Sequence, residues 1–285
     1  MFQPGLCAKS KVQGIKKSAY VALQCGKQQR TVLMIRYYNL IRNLSNWWLY
    51  VAFKCGAVDV EPLVFRTRNG IVIQVPQRLL HTFKEIFMDE CYVRDLDPHV
   101  PETPTIIDVG ANVGYFSLFA VSRFANARIF SFEPLPSNFR LLDTHRRLNA
   151  RWRLTCLEKA VAGHDGVITL SYNANDSFST SATLRGTSGE NQETIDVSCV
   201  TLQDVFEEFD LNTCDLLKMD CEGAEFDILY NCPSEYLRRV KRITMEVHAD
   251  ATPGHTIEAL EEYLKDHGFV LRRRPVGMLW ATRVG

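Results

Sequence analysis

The sequence lacks both a sustained apolar run and an excess of charge of either sign. The aromatic-rich stretch at residues 31–54 is interrupted by Arg36, Arg42 and several asparagines, so it is too polar to span a bilayer. Residues 1–30 lack the apolar core of a secretory signal peptide. Lysine and arginine number 33, as do aspartate and glutamate, so no net charge attracts nucleic acid. These absences favour a cytoplasmic protein that does not bind nucleic acid.

Paired cysteines are also lacking, although the chain contains nine cysteines. They are scattered and form no Cys-x-x-Cys motif, so they indicate neither a disulfide framework nor a zinc cluster. A reducing compartment is the natural setting for such a pattern. We interpret Cys221, which lies beside several acidic residues, as a small buried side chain rather than a nucleophile.

Acidic residues are missing from residues 1–58, which contain nine lysines and arginines. This leaves 24 basic against 33 acidic residues in the remainder of the chain. We therefore divide the chain into a basic, aromatic-rich N-terminal segment at residues 1–58 and a catalytic domain at residues 59–285. The stretch at residues 31–54 suits an amphipathic helix in peripheral contact with a membrane. The alternative is a helix packed on its own domain or on a second subunit of a homo-oligomer.

The residues that are present point to a ligand site at a strand-to-helix turn. Residues 105–109 form a short apolar run typical of a parallel strand covered on both faces, and a helical apolar stripe starts at Tyr115. Asp108, Gly110, Asn112 and Gly114 lie at this break, where ligands bind in doubly wound sheets. The spacing is not the G-x-G-x-x-G of a dinucleotide site.

A second acid follows at the end of the next predicted strand. Glu133 lies 23 residues after Gly110, close to the interval of about 20 residues at which an acid reaches ribose hydroxyls. The carboxylate of Asp108 would repel a phosphate but attract a cationic ligand. Positive charge, adenine and ribose together indicate S-adenosylmethionine as the cofactor.

The order of predicted elements supports an α/β fold. A hairpin is expected around Asn69-Gly70, followed by a helix from Leu79 to Tyr92. Strands are predicted at the ranges 128–132, 154–161, 215–220, 242–248, 268–274 and 279–283, with a helix at 136–149. Right-handed crossovers make this a doubly wound, mostly parallel, Rossmann-like sheet with an N-terminal helical and hairpin extension. Residues 173–193 are expected to form a loop near the substrate.

Polar residues at two later strand ends are candidates for binding the methyl acceptor. Asp220 and Glu222 lie at the end of one predicted strand. Glu246 and His248 alternate at the end of the next strand, so these two side chains point to the same side. His248 is a candidate general base, because imidazole titrates near neutral pH. Asp220 could instead pair with Lys218. The four residues could also ligate a divalent ion, so the metal requirement is left open.

Three motifs together resemble the FkbM-type methyltransferases. They are Ile-Asp-Val-Gly-Ala-Asn-Val-Gly at residues 107–114, Phe-Glu-Pro at 132–134 and Lys-Met-Asp-Cys-Glu-Gly-Ala-Glu at 218–225, and the resemblance covers roughly residues 60–283. It implies a class I methyltransferase sheet of seven strands whose last strand is antiparallel. It also implies methylation of a hydroxyl, with the block that contains Ala160 and Val161 beside the adenine.

The resulting hypothesis assigns the methionine end of the cofactor to Asp108, Gly110, Asn112 and Gly114, the ribose to Glu133, and the acceptor to Asp220, Glu222 and His248. The acceptor is expected to be a small molecule or a glycan. Its pocket is expected from the N-terminal part, residues 173–193 or a second subunit. A nicotinamide-dependent oxidoreductase and a non-catalytic binding protein on a methyltransferase scaffold are the two alternatives.

Overall fold

The computed structural model describes residues 33–94, 100–173, 192–274 and 277–284. Within these ranges strands and helices alternate along the chain. The strands are β1 (Leu63–Arg66), β2 (Val72–Val75), β3 (Thr105–Val109), β4 (Arg128–Phe132), β5 (Arg153–Leu157), β6 (Ala160–Ala162), β7 (Gly166–Asn173), β8 (Gln192–Thr201), β9 (Leu216–Met219), β10 (Arg242–Glu246), β11 (Phe269–Arg273) and β12 (Met278–Arg283). The helices are α1 (residues 33–43), α2 (Trp48–Lys54), α3 (Leu80–Phe87), α4 (Tyr115–Arg123), α5 (Pro136–Leu148), α6 (Leu202–Glu208), α7 (Glu225–Tyr230), α8 (Ser234–Leu237) and α9 (Ile257–Asp266).

Seven strands form the central sheet, in the order β11-β12-β10-β9-β3-β4-β5. β3 pairs in parallel with β4 and β9, and the parallel pairing continues to β5 on one side and β10 on the other. β12 runs antiparallel to both of its neighbours, β10 and β11. This topology confirms the doubly wound, mostly parallel seven-stranded sheet expected from the sequence.

Apolar side chains cover both faces of the central sheet. Neighbouring residues of β3 serve opposite faces, because Ile106 belongs to one buried cluster and Ile107 to the other. Helices α3 and α4 contribute to the first cluster through Phe83 and Phe116, and α7 contributes Phe226 to the second. With both faces covered, the carboxyl ends of the strands remain as the place where polar side chains can meet a ligand.

A second sheet has three strands, in the order β6-β8-β7. The sequence predicts one continuous strand at residues 154–161. In the structure β5 of the central sheet ends at Leu157, and Ala160 begins β6, where it pairs with Cys199 of β8. β7 and β8 form an antiparallel ribbon where the sequence analysis predicts no strands. Most of the predicted loop at residues 173–193 lies outside the described residues, and Asn173 and Gln192 at its ends pair within this ribbon.

The N-terminal hairpin and helix pack on the same core. β1 and β2 pair antiparallel around Asn69-Gly70, which confirms the predicted hairpin. Helix α3 ends at Phe87, earlier than predicted, because Glu90 adopts a φ of 52° that a right-handed helix cannot include. The rings of Phe65 and Phe83 stack with centroids 4.6 Å apart, which joins the hairpin to α3. The predicted turn at residues 275–277 lies partly outside the described residues.

His145 of α5 joins the hairpin to the turn after β3. Its Nδ1 donates a hydrogen bond to the Val113 carbonyl at 2.7 Å, and its Nε2 accepts one from the Gln74 amide at 2.9 Å. Only the neutral ring can both donate and accept in this way. The side chain is fully buried, and this burial lowers the pKa of His145 to about 4.

We expect His145 to make the fold sensitive to mild acid. Its folded pKa of about 4 lies below the ordinary value of 6.5, so the unfolded chain binds the proton first as the pH falls. The stabilisation is complete above pH 6.5 and is lost as the pH approaches 4, with a total of about 3 kcal/mol. Urea unfolding over this pH range should show a weaker pH dependence in His145→Gln. An equal dependence in both proteins would contradict the assignment.

Candidate active site

Two cavities open at the carboxyl ends of the central strands. The first is a narrow cavity beside β4, β6 and β7, and it is lined by Val109, Gly110, Asn112, Phe132, Glu133, Pro134, Leu135, Asn138, Ala160, Val161, Ile168, Leu170, Asp220, Cys221 and Ala224. The second has a volume of about 420 Å³ and is lined by His81, Thr82, Glu85, Ile86, Cys91, Tyr92, Gly110, Ala111, Asn112, Val113, Tyr115, Phe116, Lys218, Asp220, Glu222, Glu246, His248 and Met278. We call them the narrow cavity and the wide cavity. Gly110, Asn112 and Asp220 line both, so the two cavities share a wall.

Lys218 is hydrogen-bonded to the backbone of the turn that follows β3. Its buried ammonium donates to the Gly110 carbonyl at 2.7 Å and to the Val109 carbonyl at 3.3 Å. It also lies 3.2 Å from the carboxylate of Asp108. Burial lowers the pKa of Lys218, but Asp108 and Asp220 outweigh that effect and the net shift is upward. The turn is therefore fixed by a charged side chain of β9.

Asp108 does not line either cavity, which differs from its predicted contact with the cofactor. Its carboxylate is fully buried, accepts a hydrogen bond from the Ser117 hydroxyl at 2.6 Å and pairs with Lys218. Gly114 is also outside both linings, where it precedes helix α4. Gly110 and Asn112 form the cavity surface of the turn.

Glu133 lines the narrow cavity, and its carboxylate is hydrogen-bonded within the protein. Oε2 accepts from the Asn112 amide at 2.8 Å, and Oε1 accepts from the Leu135 amide at 3.0 Å and the Asn138 side chain at 3.3 Å. Burial raises the pKa of Glu133 to about 7, against the lowering effect of these donors. A carboxylate with a remaining lone pair in a narrow cavity suits the hydroxyls of a nucleoside.

The walls of the narrow cavity are apolar. Ala160 and Val161 line it as expected, although they belong to β6 of the second sheet. Ile168 and Leu170 of β7 also line it, and they are not among the residues predicted from the sequence. The sequence signal for these residues was the alternation of apolar and polar residues in Ile168-Thr169-Leu170. In the structure Ile168 is 9% exposed, whereas the preceding Val167 is 64% exposed. A flat, largely apolar ring fits between such walls.

Asp220 occupies the shared wall and is held by a residue distant in sequence. The Tyr92 hydroxyl donates to Asp220 Oδ2 at 2.6 Å, and the Lys218 ammonium lies 3.9 Å from the same oxygen. The sequence-based pairing of Asp220 with Lys218 is thus a loose one, because Lys218 lies closer to Asp108. No sequence pattern singled out Tyr92, which is 128 residues from Asp220.

His248 faces the wide cavity and is oriented by a buried acid. Its Nδ1 lies 2.9 Å from Glu225 Oε1, and its Nε2 lies 3.7 Å from Glu222 Oε2. Glu225 is fully buried and also accepts from the amides of Cys221 and Gly223. Burial lowers the pKa of His248, but the bond to Glu225 and the neighbouring acids raise it to about 9. A pKa of about 9 favours the charged, hydrogen-bond-donating ring at neutral pH, and the role of His248 as a general base stays a prediction.

Acids dominate the rest of the wide cavity. Burial raises the pKa of Glu222 to about 7, and nearby acids add to this while His248 opposes it. The pKa of Glu246 is also raised, by burial and then by Asp220. Within the described part of the chain, Asp220, Glu246 and His248 each offer one ligand atom, and these atoms lie within 4.8 Å of one another. The trio could hold a divalent ion, although the ammonium of Lys218 beside Asp220 opposes added positive charge.

The comparison with known families settles the assignment of the chain. A family model described as the methyltransferase FkbM domain matches residues 108–271, more than half of the chain. The chain belongs to the FkbM methyltransferase family. This confirms the resemblance predicted from the three motifs, and it favours a methyltransferase over the nicotinamide-dependent alternative. The matched range begins at Asp108 and includes Glu133, Asp220 and His248.

Individual relatives match about two thirds of this chain. Methyltransferase sdnD of Sordaria araneosa is 30% identical over 218 residues, which are 67% of this chain and 82% of that protein. The 31-O-demethyl-FK506 methyltransferase FkbM of Streptomyces tacrolimicus is 29% identical over 218 residues, 66% of this chain and 81% of that protein. A crystal structure of methyltransferase FkbM from Methylobacillus flagellatus KT is 12% identical, with a TM-score of 0.47, and covers 72% of this chain. This chain spans about half of that protein, at 54%.

Proposed function

We propose that this FkbM family member transfers the methyl group of S-adenosylmethionine to a hydroxyl oxygen of a small molecule or glycan. The observation that carries the proposal is the wall that the narrow and wide cavities share at Gly110, Asn112 and Asp220. In-line transfer requires donor and acceptor to meet at one point. The name of the Streptomyces tacrolimicus relative, 31-O-demethyl-FK506 methyltransferase, specifies an oxygen, which supports a hydroxyl acceptor.

On the donor side, the narrow cavity suits an adenosyl group. Bound there, S-adenosylmethionine supplies an electrophilic methyl group on a positively charged sulfur. Glu133 would accept hydrogen bonds from the ribose hydroxyls, and Val161, Ile168 and Leu170 would enclose the base. Gly110 and Asn112 would contact the methionine end, and the carboxylate of Asp220 would favour the nearby positive charge.

On the acceptor side, Asp220 is the best-placed proton acceptor. It lines both cavities, and its carboxylate is oriented by the Tyr92 hydroxyl at 2.6 Å. A hydroxyl in the wide cavity would donate its proton to Asp220 as its oxygen takes the methyl group and the carbon–sulfur bond breaks. Charged His248 would donate a hydrogen bond to the acceptor oxygen. Glu222, which lies beside His248, would afterwards receive the proton from Asp220.

The test of this proposal follows a labelled methyl group. Purified protein is incubated with methyl-labelled S-adenosylmethionine and fractionated cell extract, and binding of S-adenosylhomocysteine and of NAD is measured by calorimetry. We expect S-adenosylhomocysteine to bind, NAD not to bind, and the label to enter an alkali-stable methyl ether. Alkali-labile label would indicate a carboxyl acceptor instead, and binding of NAD alone would contradict the proposal.

Glu133 gives a separate prediction for cofactor affinity. In Glu133→Gln, one carboxylate oxygen becomes an amide that cannot accept from the protein or from ribose, so the affinity for S-adenosylhomocysteine should fall about 10- to 100-fold. In the unmodified protein the affinity should also fall as the pH decreases below about 7, because Glu133 becomes protonated. Calorimetry at several pH values measures both effects. A pH dependence that persists in Glu133→Gln would assign it to another group.

A further inference from the structure

Helix α1 buries Asn39, Leu40 and Asn43 and exposes most of its other large apolar side chains. Asn39 donates to the Met88 carbonyl and Asn43 to the Phe87 carbonyl, each at 2.8 Å. These carbonyls lie at the end of α3, where the helix leaves them without partners of its own. Asn39 is 6% exposed and Asn43 is 8% exposed. The two asparagines and the buried side chain of Leu40 therefore attach α1 to the rest of the domain.

Two ion pairs complete this attachment. Arg36 Nε lies 2.6 Å from Asp89 Oδ1, and Arg42 pairs with Glu90. Asn43 also donates to Glu90 at 2.9 Å. These pairs use the acids that follow α3, so the acids nearest α1 are neutralised by its own arginines. What remains on the outer side of α1 is apolar.

The outward face has helical spacing and is large. Met34, Tyr38 and Ile41 are 73%, 63% and 42% exposed and recur every three or four residues. Trp48 of α2 is 56% exposed. Eight large apolar residues are exposed between residues 33 and 51, against five in the rest of the described chain. We call these eight the docking surface: Leu33, Met34, Ile35, Tyr37, Tyr38, Ile41, Trp48 and Val51.

Basic residues also lie in and beside the segment that carries the docking surface. Described residues 33–58 contain Arg36, Arg42 and Lys54 and no acid, and Lys54 is exposed. Arg68 of the hairpin donates to the carbonyls of Ile41 and Arg42 at the end of α1, and the side chain of Arg66 is also exposed. Like charges would face each other if two copies of this surface met. An anionic surface would complement them.

We infer that the docking surface binds the interface of a membrane that contains anionic lipids. Tyrosine and tryptophan combine an apolar ring with a polar atom, which suits the depth of lipid headgroups. Apolar contact and basic charge supply the two signals that stable peripheral binding requires. None of the helices in the described ranges is long and apolar enough to cross a membrane. The docking surface is carried by α1, which is attached to the end of α3, and Glu85 of α3 lines the wide cavity.

Vesicle sedimentation of the full chain tests this inference. We expect binding to mixed phosphatidylcholine and phosphatidylserine vesicles, weaker binding to phosphatidylcholine alone, and a decrease with added salt. The triple variant Tyr38→Ser, Ile41→Ser, Trp48→Ser should bind about 100-fold more weakly. Its thermal unfolding should be nearly unchanged, because all three side chains are exposed. In Trp48→Phe, the blue shift of tryptophan fluorescence on vesicles should decrease.

The matched control replaces apolar residues that are equally exposed elsewhere. Val167 is 64% exposed and Val270 is 62% exposed, and both lie outside the docking surface. Val167→Ser, Val270→Ser should bind vesicles like the unmodified protein. Absence of binding to the mixed vesicles, or equal binding by the triple variant, would overturn the inference. So would a dimer in sedimentation velocity that the triple variant abolishes, because it would assign the surface to a second copy of the chain.

Discussion

Asp220→Asn is expected to lower kcat by about 100- to 10,000-fold, the usual contribution of a positioned proton acceptor. Affinity for S-adenosylhomocysteine should change less than about tenfold, because Glu133 and the apolar walls of the narrow cavity are untouched. The fold should persist, since the asparagine oxygen can still accept from Tyr92 and Lys218 keeps its pair with Asp108. Single-turnover methyl transfer and calorimetry measure the two quantities.

Two neighbouring variants make this result specific. Tyr92→Phe removes only the hydroxyl that orients Asp220, so kcat should fall about tenfold. Glu222→Gln should also lower kcat, but less than Asp220→Asn. A larger loss of kcat in Glu222→Gln than in Asp220→Asn would identify Glu222 as the proton acceptor. If Asp220→Asn kept the kcat of the unmodified protein, Asp220 would have no role in the chemical step.

Adding a metal chelator to the methyl-transfer assay distinguishes proton transfer from metal chemistry at the same residues. Asp220, Glu246 and His248 are close enough to share one ion. If chelation abolishes methyl transfer and magnesium or manganese restores it, Asp220 acts as a ligand rather than as a proton acceptor. If chelation has no effect, the loss in Asp220→Asn reports the removed carboxylate. We expect the second result, because the Lys218 ammonium already lies 3.9 Å from Asp220.

The parts of the site that lie within single motifs could be predicted from the sequence. The turn after β3 is local, since its buried strand, glycines and helix start are consecutive residues. Glu133 was predictable because a parallel neighbour of β3 brings its end to the same edge of the sheet. The sheet order followed from the family resemblance together with alternating elements. In each case short-range pattern and regular geometry were sufficient.

The remaining parts depend on contacts between distant segments. Asp108 and Lys218 face each other because β3 and β9 pair in register, and nothing in either strand alone selects this pair over Lys218 with Asp220. Tyr92 reaches Asp220 from an irregular segment after α3. The charge of His248 depends on Glu225, which is buried beside it by the turn at residues 221–223. Sequence spacing gives the residue types, whereas protonation states follow from tertiary burial.

Gly110→Ala is expected to abolish measurable binding of S-adenosylhomocysteine and to lower the free energy of unfolding by about 3 to 5 kcal/mol. Gly110 has a φ of +71°, which costs free energy for any residue with a β-carbon. An added β-carbon would also lie 1.9 Å from the Asp220 carbonyl oxygen and 2.8 Å from its carbon. These are backbone atoms, so the ends of β3 and β9 would have to separate.

A matched glycine separates the backbone cost from the steric one. Gly56 has the same φ of +71°, but an added β-carbon there meets no atom within 4 Å. Gly56→Ala should therefore lower the free energy of unfolding by only about 1 to 2 kcal/mol and leave cofactor affinity unchanged. Urea unfolding and calorimetry on both variants give the comparison. If Gly110→Ala behaves like Gly56→Ala, the ends of β3 and β9 are not held at the close approach that forms the shared wall. If it loses cofactor binding far beyond its loss of stability, the contact between Gly110 and Asp220 is what shapes that wall.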